Sequence, residues 1–288
     1  MNLREVKQRI QSVKNTQKIT SAMKLVSAAK LRRAQSVIDS MSPYKEALHK
    51  MLSVALNNCA LQESSYTAVR DVKRVAIIAV ASDSTLCGAF NSNIIREAKS
   101  VVDSFVESGA EVVVFPVGKK IADAVKKFDA CKCDLSFVEL SATAGYSHVA
   151  GVAQKFMGAF KAENYDKVEL VYTAYRSASK LLPLQETLLP LAEGCAEEGC
   201  GAEVEYIVEP DKKELLNTIL PKVIELNLYS MLLASAAAEH SARMIAMQVA
   251  TDNADDLLSQ LVLEYNKGRQ QAITSEILDI ASGSIGND

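Results

Sequence analysis

Six alanines near the C-terminus follow one another at intervals of four residues: Ala234, Ala238, Ala242, Ala246, Ala250 and Ala254. Residues four apart lie on the same face of an α-helix. A row of methyl groups lets a second helix approach more closely than leucine or phenylalanine side chains would allow. Although alanine is also a good helix former, six in strict register indicate a packing face. Because a helix this long is unstable alone, we predict a partner helix along its length.

The N-terminal segment is the predicted partner. Its apolar residues recur at steps of three and four, as in a coiled-coil seam: Leu3, Val6, Ile10 and Val13. After Val13 a step of three replaces an expected four. This predicts a local overwinding of the helix, with the seam continuing through Thr16, Ile19, Met23 and Val26. Pro43 is expected to kink or restart the helix, which then continues over Tyr44–Asn57.

The length of the C-terminal helix also constrains the architecture. From Lys222 the helical pattern is continuous to about residue 282, and about 60 residues at ~1.5 Å each span ~90 Å. A domain of about 140 residues has a radius of gyration of only ~14 Å. We therefore expect most of this helix to project beyond the globular part. Such a shape is typical of a spacer, lever or rotor and unusual for an enzyme.

Between the two long helices, short apolar runs alternate with helical patterns. The predicted strands are Val75–Ala81, Glu111–Val117, Asp134–Leu140, Lys167–Tyr175 and Glu203–Val208. The predicted helices are Asn93–Glu107, Lys119–Phe128 and Ser147–Glu163, and residues 176–202 are expected to form a long excursion. This alternation predicts an α/β class with a doubly wound, mostly parallel, Rossmann-like domain beside a long antiparallel coiled coil. The predicted domains are an N-terminal coiled-coil helix at 1–58, an α/β domain at 73–209 and a C-terminal coiled-coil helix at 211–288.

Charge is distributed unevenly along the chain. The first 38 residues carry nine basic side chains and one acidic one, a net charge of +8, whereas the whole chain carries −3. The N-terminal helix is therefore expected to face an acidic partner. One alternative is a basic coiled-coil protein that binds nucleic acid. Against it, no aromatic residue for base stacking precedes Tyr44.

Residue types that carry chemistry show no recognisable arrangement. The loop Ser82–Phe90 stands where a doubly wound fold binds ligands, but it has neither glycine-rich phosphate-binding pattern. Cys87 in that loop is interpreted as a buried structural thiol, because no general base accompanies it. No catalytic residue, metal or cofactor is expected, and a standalone enzyme is the least favoured alternative. Cys195 and Cys200 flank a loop in which a disulfide is sterically possible, although reduced thiols are the simplest interpretation.

Neither membrane insertion nor secretion is expected from the sequence. The N-terminus lacks the apolar segment of a secretory signal. The longest uncharged apolar stretch lies between Glu225 and Glu239 and is too short to span a bilayer. We therefore expect an intracellular chain that is not itself embedded in a membrane.

Four motifs distributed over the whole chain carry a family resemblance. The first is ITSAMKLVSAAKLRRA at residues 19–34. The longest begins at Glu239 and contains ARMIAM, ATDNA, YN, RQ and ITSEI, ending at Ile277. The two others are Ser82-Asp83 with Leu86-Cys87-Gly88 and Phe90-Asn91, and Tyr206 with Glu209-Pro210. Together they resemble the γ subunit of F-type ATP synthase.

The resemblance implies a non-catalytic rotor subunit without a cofactor. In that family an antiparallel coiled coil of both termini penetrates a ring of three α and three β subunits. The α/β domain forms a foot on the membrane ring of c subunits and binds the ε subunit, and rotation of the asymmetric shaft cycles the β sites through successive states. The resemblance therefore implies no nucleic acid partner and only indirect membrane contact. Without a recognisable transit peptide, it implies a peripheral location at the cytoplasmic face of a bacterial inner membrane.

The resemblance also implies a set of partner-contact residues: Met23, Lys24, Lys30, Arg33, Glu209, Arg243, Arg269, Gln270, Thr274 and Asp279. Met23 and Lys24 match a position near an acidic loop of β, and Arg243 matches their partner on the C-terminal helix. Arg269, Gln270 and Thr274 match residues that bond to catch loops of β and α. Glu209 matches an acidic position near the foot.

Several residues depart from the family pattern. Ser84-Thr85 stands where Arg-Gly is usual, and Ala89 replaces a glycine. Gly268 replaces an alanine, which costs about 1 kcal/mol of helix stability. Asp279 stands where glutamate is usual and is one methylene shorter. The Cys195–Cys200 loop is shorter than the redox insert of the plastid branch and differently spaced, so thiol regulation is not predicted.

Overall fold

The computed structural model describes residues 3–57, 65–128, 131–140, 145–177, 180–191 and 212–285. At 53–57, 212–213 and 279–285 it describes the backbone alone. The chain divides into two units. We call Met1–Ala28 with Arg243–Asp288 the helix pair, and Ala29–Ala242 the sheet unit. Both long helices contribute to both units, whereas the sequence analysis gave each helix its own domain; that division stays a prediction.

In the described part of the sheet unit, five strands form one sheet. Its strands are β1 Arg74–Val80, β2 Glu111–Val117, β3 Lys132–Cys133, β4 Lys167–Tyr175 and β5 Leu181–Leu189, in the spatial order β3-β2-β1-β4-β5. Strands β1 to β4 pair in parallel, and β5 pairs antiparallel with β4. β1 lies in the middle and is buried from Val75 to Val80, as an apolar strand covered on both faces must be. The predicted mostly parallel α/β class is confirmed.

Helices cover both faces of this sheet. They are α1 Leu3–Asn57, α2 Phe90–Glu107, α3 Lys119–Val125, α4 Tyr146–Lys161 and α5 Lys212–Ile285. One face packs against α2 and α3 and buries Ile77 with Ile94. The other packs against α4 and against parts of α1 and α5, and it buries Ile78 with Phe156 and Leu220. Successive residues of a strand point to opposite faces, so the neighbours Ile77 and Ile78 belong to different cores.

The predicted third strand, Asp134–Leu140, is wrong. Strand pairing is limited to Lys132–Cys133, and Leu135–Phe137 form a short 3-10 helix. The Asp134 carboxylate accepts a hydrogen bond of 2.9 Å from the backbone N–H of Ser136. Such local side-chain bonds compete with a strand ladder, which explains the early end of the strand.

The predicted excursion at 176–202 contains a strand that the sequence analysis missed. β5 pairs with β4 over almost its whole length, and Leu188 and Leu189 are buried. Its proline, Pro183, is tolerated because β5 is the outermost of the described strands and pairs with β4. The predicted strand Glu203–Val208 lies outside the described residues, as do Cys195 and Cys200.

Neither long helix ends or restarts at its internal proline. Pro43 lies inside α1 and Pro221 inside α5, so the restart considered at Pro43 is wrong. Pro43 is exposed and Pro221 half-buried. Water can therefore hydrate the carbonyl group that loses its helical donor at Pro43.

α5 is long and apolar enough to meet a criterion for membrane-spanning helices. The segment Glu214–Leu278 could cross a bilayer by length and composition alone, and 61% of its most apolar window is buried inside the protein. The core helix of a soluble protein meets the same criterion. Packing inside the protein therefore accounts for most of this apolar character.

Candidate interaction surface of the paired helices

In the helix pair, α1 and α5 run antiparallel. The hydroxyl oxygens of Thr20 and Thr251 lie 2.9 Å apart, and the Gln17 carboxamide donates to the Asp255 carboxylate. Gly268 lies beside Leu3, since a Cβ added to this glycine would be 3.2 Å from Leu3 Cδ2. Numbers fall along α1 as they rise along α5, so the predicted antiparallel pairing is confirmed.

The buried face of α1 in this unit is an unbroken heptad pattern. We call its positions the inner seam: Leu3, Val6, Ile10, Val13, Gln17, Thr20, Lys24 and Ser27, all buried or half-buried. The break predicted after Val13 is wrong, because Ile19 and Val26 are 60% and 57% exposed. A helix that keeps its heptad phase needs no overwinding. Polar residues therefore take the inner positions after Val13.

On α5 the buried line also has heptad spacing: Met247, Thr251, Ala254, Leu258, Leu261 and Tyr265. The predicted alanine row coincides with this line at Ala254, which is 7% exposed. Ala246 and Ala250 are half-buried beside it. A constant step of four drifts around a helix relative to a heptad seam. The row is therefore not one continuous packing face in the helix pair.

Three polar residues of the inner seam have hydrogen-bond partners: Gln17, Thr20 and Ser27. Burial of an unpaired hydroxyl is unfavourable, but Thr20 and Ser27 also reach backbone oxygens of Gln17 and Met23 at 3.0 and 2.8 Å. Thr251 reaches the backbone oxygen of Met247 at 2.8 Å. The sequence pattern did not predict the contacts of Gln17, Thr20, Thr251 and Asp255. Extending the heptad from Val13 regardless of polarity would have found the first two.

Apolar side chains at the same levels point to solvent. Ile19, Leu25 and Val26 on α1 are 57–66% exposed, and Ile245 and Val249 on α5 are 37% and 52% exposed. We call these five residues the outer apolar surface. In a surface helix the apolar stripe normally faces the core and the polar residues face water. Here that order is reversed, which marks a surface for contact with another protein.

Beyond Gly268, α5 has a second exposed stretch. Residues 269–278 are all exposed, including the apolar Ile273, Ile277 and Leu278 at 49–62%. The Thr274 hydroxyl donates to the backbone oxygen of Gln270 at 2.9 Å. This end of α5 therefore presents apolar and polar side chains together to solvent.

The partner-contact residues implied by the family resemblance are spread along the helices. Met23, Lys24 and Arg243 are half-buried in the helix pair, and Arg269, Gln270 and Thr274 are exposed on α5. Lys30 and Arg33 are exposed on the part of α1 that belongs to the sheet unit. Asp279 lies in helical backbone with its side chain outside the described residues, and Glu209 lies outside them entirely. Their contact roles stay predictions.

Charge differs between the two helices of the pair. α1 up to Ala28 carries six basic residues against one acidic residue: Arg4, Lys7, Arg9, Lys14, Lys18 and Lys24 against Glu5. α5 between residues 252 and 264 carries only acidic charges: Asp252, Asp255, Asp256 and Glu264. Opposite charge supports the pairing at long range. Lys7, Arg9, Lys14 and Lys18 are exposed, so the solvent side of α1 is basic.

The loop that follows β1, where a doubly wound sheet would bind a ligand, packs against α5. Cys87 and Phe90 form one buried cluster with Ala238 and Ala242. The small alanine side chains let the loop come close to the helix, which explains these two members of the alanine row. Cys87 is 2% exposed, as predicted for a structural thiol.

Hydrogen bonds inside this loop hold its shape. Ser82 Oγ donates to Asn91 Oδ1 at 3.0 Å, and Asn91 Nδ2 donates to the backbone oxygen of Ser84 at 3.1 Å. Within the described part of the chain, no three histidine, cysteine, aspartate or glutamate side chains are grouped as a metal site requires. The loop is therefore interpreted as a packing element.

A buried carboxylate joins α4 to α5 in the sheet unit. Glu225 on α5 is 9% exposed and accepts hydrogen bonds from the Tyr146 hydroxyl at 3.0 Å and from Gln154 Nε2 at 2.9 Å. Burial, together with the hydrogen bond to Glu225, raises the pKa of Tyr146 to about 12. The Tyr146 ring also meets Tyr229 edge-on at 5.5 Å. This contact fixes one helix of the sheet unit to α5.

Comparison with known proteins identifies the family. Residues 2–285 match the family model described as ATP synthase. The ATP synthase γ chain of Phocaeicola vulgatus is 45% identical over 287 residues and 99% of each chain. That of Flavobacterium johnsoniae is 43% identical over 287 residues and 98% of each chain. None of these relatives supports the nucleic-acid alternative.

Solved structures share the fold. A chain in the central stalk and c-ring of the Tetrahymena thermophila mitochondrial ATP synthase has a TM-score of 0.59 at 23% identity, covering 81% of this chain and 99% of its own length. A chain of the Euglena gracilis mitochondrial ATP synthase rotor has a TM-score of 0.64 at 18% identity, covering 94% of this chain and 98% of its own length. The family match and the curated relatives together establish that this chain belongs to the ATP synthase γ chain family.

Proposed function

We propose that this chain is the central rotor subunit of a bacterial F1 ATP synthase and has no catalytic site of its own. The helix pair turns inside a ring of α and β subunits, and its asymmetry changes the β sites in sequence. The observation that carries this proposal is the outer apolar surface of the helix pair, which lies at the same levels as the polar inner residues Thr20 and Ser27. A two-helix unit of this kind needs a surrounding partner.

The outer apolar surface supports a partner that surrounds the helix pair. Its members lie on both helices, and Ile19, Leu25 and Val26 are each more than half exposed. Burial of apolar surface contributes roughly 25 cal/mol per Å², so covering these side chains favours association. Exposed apolar residues on both helices fit contact with several subunits of a ring better than contact with a single flat surface.

Two further features agree with the family contacts. Met23 and Lys24 lie on the basic helix, beside the outer apolar residues Leu25 and Val26, which suits an acidic loop of β. Arg269, Gln270 and Thr274 are exposed at the far end of α5, where they are free to meet catch loops of β and α. The half-buried Arg243 is assigned to the same contact as Met23.

The sheet unit is proposed as the foot of the rotor. In this role it binds the ε subunit and the ring of c subunits, with Glu209 near that contact, and it touches the membrane only through the ring. The chain would then be peripheral at the cytoplasmic face of a bacterial inner membrane. No cofactor is needed for this role.

Reconstitution with α and β subunits tests the proposal. The full chain is mixed with α and β subunits from a close bacterial relative, and ATP hydrolysis is measured after isolation of the complex. The variant Ile19→Ser/Val26→Ser removes two outer apolar side chains. We expect a drop of about tenfold in assembled activity, since the lost apolar burial corresponds to roughly 1–3 kcal/mol.

A matched control uses the same chemistry in the sheet unit. Val69 and Val72 are also exposed, at 85% and 42%, so Val69→Ser/Val72→Ser should leave assembly with α and β within about twofold. Equal activity of the two variants would contradict the proposed ring contact. Failure of the wild-type chain to assemble with α and β at all would contradict the rotor function.

A further inference from the structure

The helix pair contains two competing seams on α1 between residues 16 and 27. One is apolar and runs through Ile19, Met23 and Val26, and the other is polar and is the observed inner seam. Each apolar position stands one residue before a polar one, so a rotation of about 100° would exchange them. Hydrophobic burial alone favours the apolar seam, yet Ile19 and Val26 are 60% and 57% exposed.

We propose that the polar contacts Thr20–Thr251 and Gln17–Asp255 select the rotational phase of α1. Thr20 is 9% exposed and its hydroxyl lies 2.9 Å from that of Thr251. At the inner-seam position before Thr20, the Gln17 carboxamide donates to the Asp255 carboxylate. Buried polar groups need hydrogen-bond partners. A bond within the same helix is available in either phase, whereas a bond to the other helix specifies the register.

The apolar phase would lose both contacts. Turning Ile19 and Val26 inward moves Thr20 and Gln17 away from α5 and leaves Thr251 facing an apolar side chain. Ser27, 3% exposed and bonded to the Met23 backbone oxygen at 2.8 Å, fits the polar phase without a partner on α5. The two cross-helix contacts therefore separate the phases.

The selected phase has a consequence for binding, which rests on the proposed rotor function. It keeps Ile19 and Val26 on the outside, where a surrounding ring can cover them. Thr20, Thr251, Gln17 and Asp255 are thus positioning residues for the outer apolar surface. They act on the partner contact without touching the partner.

Two neighbouring cysteine reporters measure the phase in the purified full chain. Val26→Cys places a thiol on the exposed side and Ser27→Cys places one on the buried side. Each is introduced separately, and its rate of maleimide labelling is followed by peptide mass spectrometry, which separates it from the native cysteines. In the native background we expect the residue 26 thiol to react at least about tenfold faster, because reaction requires exposure.

The test variant removes both acceptors on α5 and leaves α1 unchanged. In Thr251→Val/Asp255→Leu we expect the residue 26 thiol to react more slowly and the residue 27 thiol faster, because the phase is no longer selected. The ratio of the two rates should fall by about tenfold or invert. The matched control Thr274→Val/Asp256→Leu makes the same chemical changes on exposed residues of α5 and should keep the native ratio. Thr251→Ser retains the hydroxyl and should keep it also.

Two outcomes would overturn the proposal. An unchanged ratio in Thr251→Val/Asp255→Leu would mean that helix continuity alone sets the phase. Rapid labelling of both reporters would mean that the helix pair has separated instead of rotating. Neither outcome depends on α or β subunits, so failure here is distinct from failure of the rotor function in the reconstitution assay.

Discussion

The two units of the molecule bury very different side chains. The sheet unit encloses large apolar residues completely, among them Ile78, Phe160, Leu220 and Ile224. In the described part of the helix pair, the apolar residues under 9% exposed are Val6, Met247, Ala254 and Leu261, and Thr20 and Ser27 are buried with them. One unit has an ordinary hydrophobic core, and the other has a narrow seam of mixed polarity.

This difference separates stability from recognition. A sheet covered by helices on both faces buries enough apolar surface to be stable by itself. A two-helix seam with polar inner positions is stabilised far less, and its apolar side chains remain available outside. We therefore expect mutations in the sheet unit to affect folding, and mutations on the outside of the helix pair to affect assembly.

The largest expected effect compares the same substitution in the two units. Leu220 and Leu261 both lie on α5 and are 0% and 4% exposed. Leu220→Ala should lower the free energy of unfolding by about 3–5 kcal/mol, because a full core leaves a cavity that cannot collapse. Leu261→Ala should cost only about 1–2 kcal/mol, because the two helices can approach each other.

Urea unfolding followed by circular dichroism measures these losses. Amide exchange in peptides from each unit assigns them to the correct region. Equal losses in the free energy of unfolding for the two substitutions would contradict the distinction between a hydrophobic core and a two-helix seam.

The next effect compares two alanines of α5, one on the buried line of the helix pair and one beside it. Ala254 is 7% exposed and Ala246 is half-buried beside the seam. Ala254→Leu should destabilise the helix pair by about 1–3 kcal/mol through overpacking, and Ala246→Leu by less than about 1 kcal/mol. Thermal unfolding of the two variants is the measurement. The reverse ranking would restore the alanine row as the true packing face.

A smaller effect is expected at Gly268, which lies beside Leu3 in the helix pair. Replacement of a helical glycine by alanine gains about 1 kcal/mol, but the new Cβ would lie 3.2 Å from Leu3 Cδ2. Because Leu3 Cδ2 is the end of a flexible side chain, we expect a net stabilisation of about 0.5 kcal/mol for Gly268→Ala. Amide exchange in peptides around residue 268 reports it. A net destabilisation would mean that Leu3 is fixed in place.

The smallest effect is a pH dependence in the sheet unit. Since the pKa of Tyr146 is raised to about 12 by burial and by its bond to Glu225, the neutral phenol is favoured in the folded state. Its contribution is therefore fully present below the ordinary tyrosine pKa of about 10 and is lost as pH rises through about 12. Tyr146 is 41% exposed, so solvent limits the contribution to about 0.5 kcal/mol.

Tyr146→Phe measures that contribution. We expect this substitution to lower the free energy of unfolding at pH 8. It should have no effect above about pH 12, where wild-type Tyr146 is ionised. Urea unfolding at the two pH values is the measurement. Tyr44→Phe is the control, because Tyr44 is 53% exposed. An equal loss at both pH values would mean that the hydroxyl contributes independently of its ionisation, which would contradict the expected pH dependence.

Much of the fold was predictable from local pattern. The buried strands β1, β2 and β4 were recognisable because they are short apolar runs, and α2 to α4 because their apolar residues recur with helical spacing. β3 and β5 were not predicted correctly. β3 ends early because Asp134 bonds locally to Ser136, and β5 contains Pro183, a residue that argues against a strand. In both places a side-chain or tertiary effect overrides the apolar pattern.

The candidate surface was predicted less completely than the fold. Met23, Lys24 and the residues beyond Gly268 were found by resemblance. The residues at 269–278 are exposed, as a contact surface requires, whereas Met23 and Lys24 are half-buried. Thr20 and Thr251 were missed because a seam was assumed to be apolar. The preference for Ile19 and Val26 as seam residues was wrong for the same reason.

The sequence by itself determined that the ends of the chain form two paired long helices and that its middle forms a mostly parallel α/β domain, because periodicity and alternation are local properties. It also determined the family, through long terminal motifs. Only the tertiary structure decided which face of α1 turns inward. That choice depends on what α5 offers opposite each residue: hydroxyl and carboxylate partners for Thr20 and Gln17 allow polar groups inside and leave apolar ones outside.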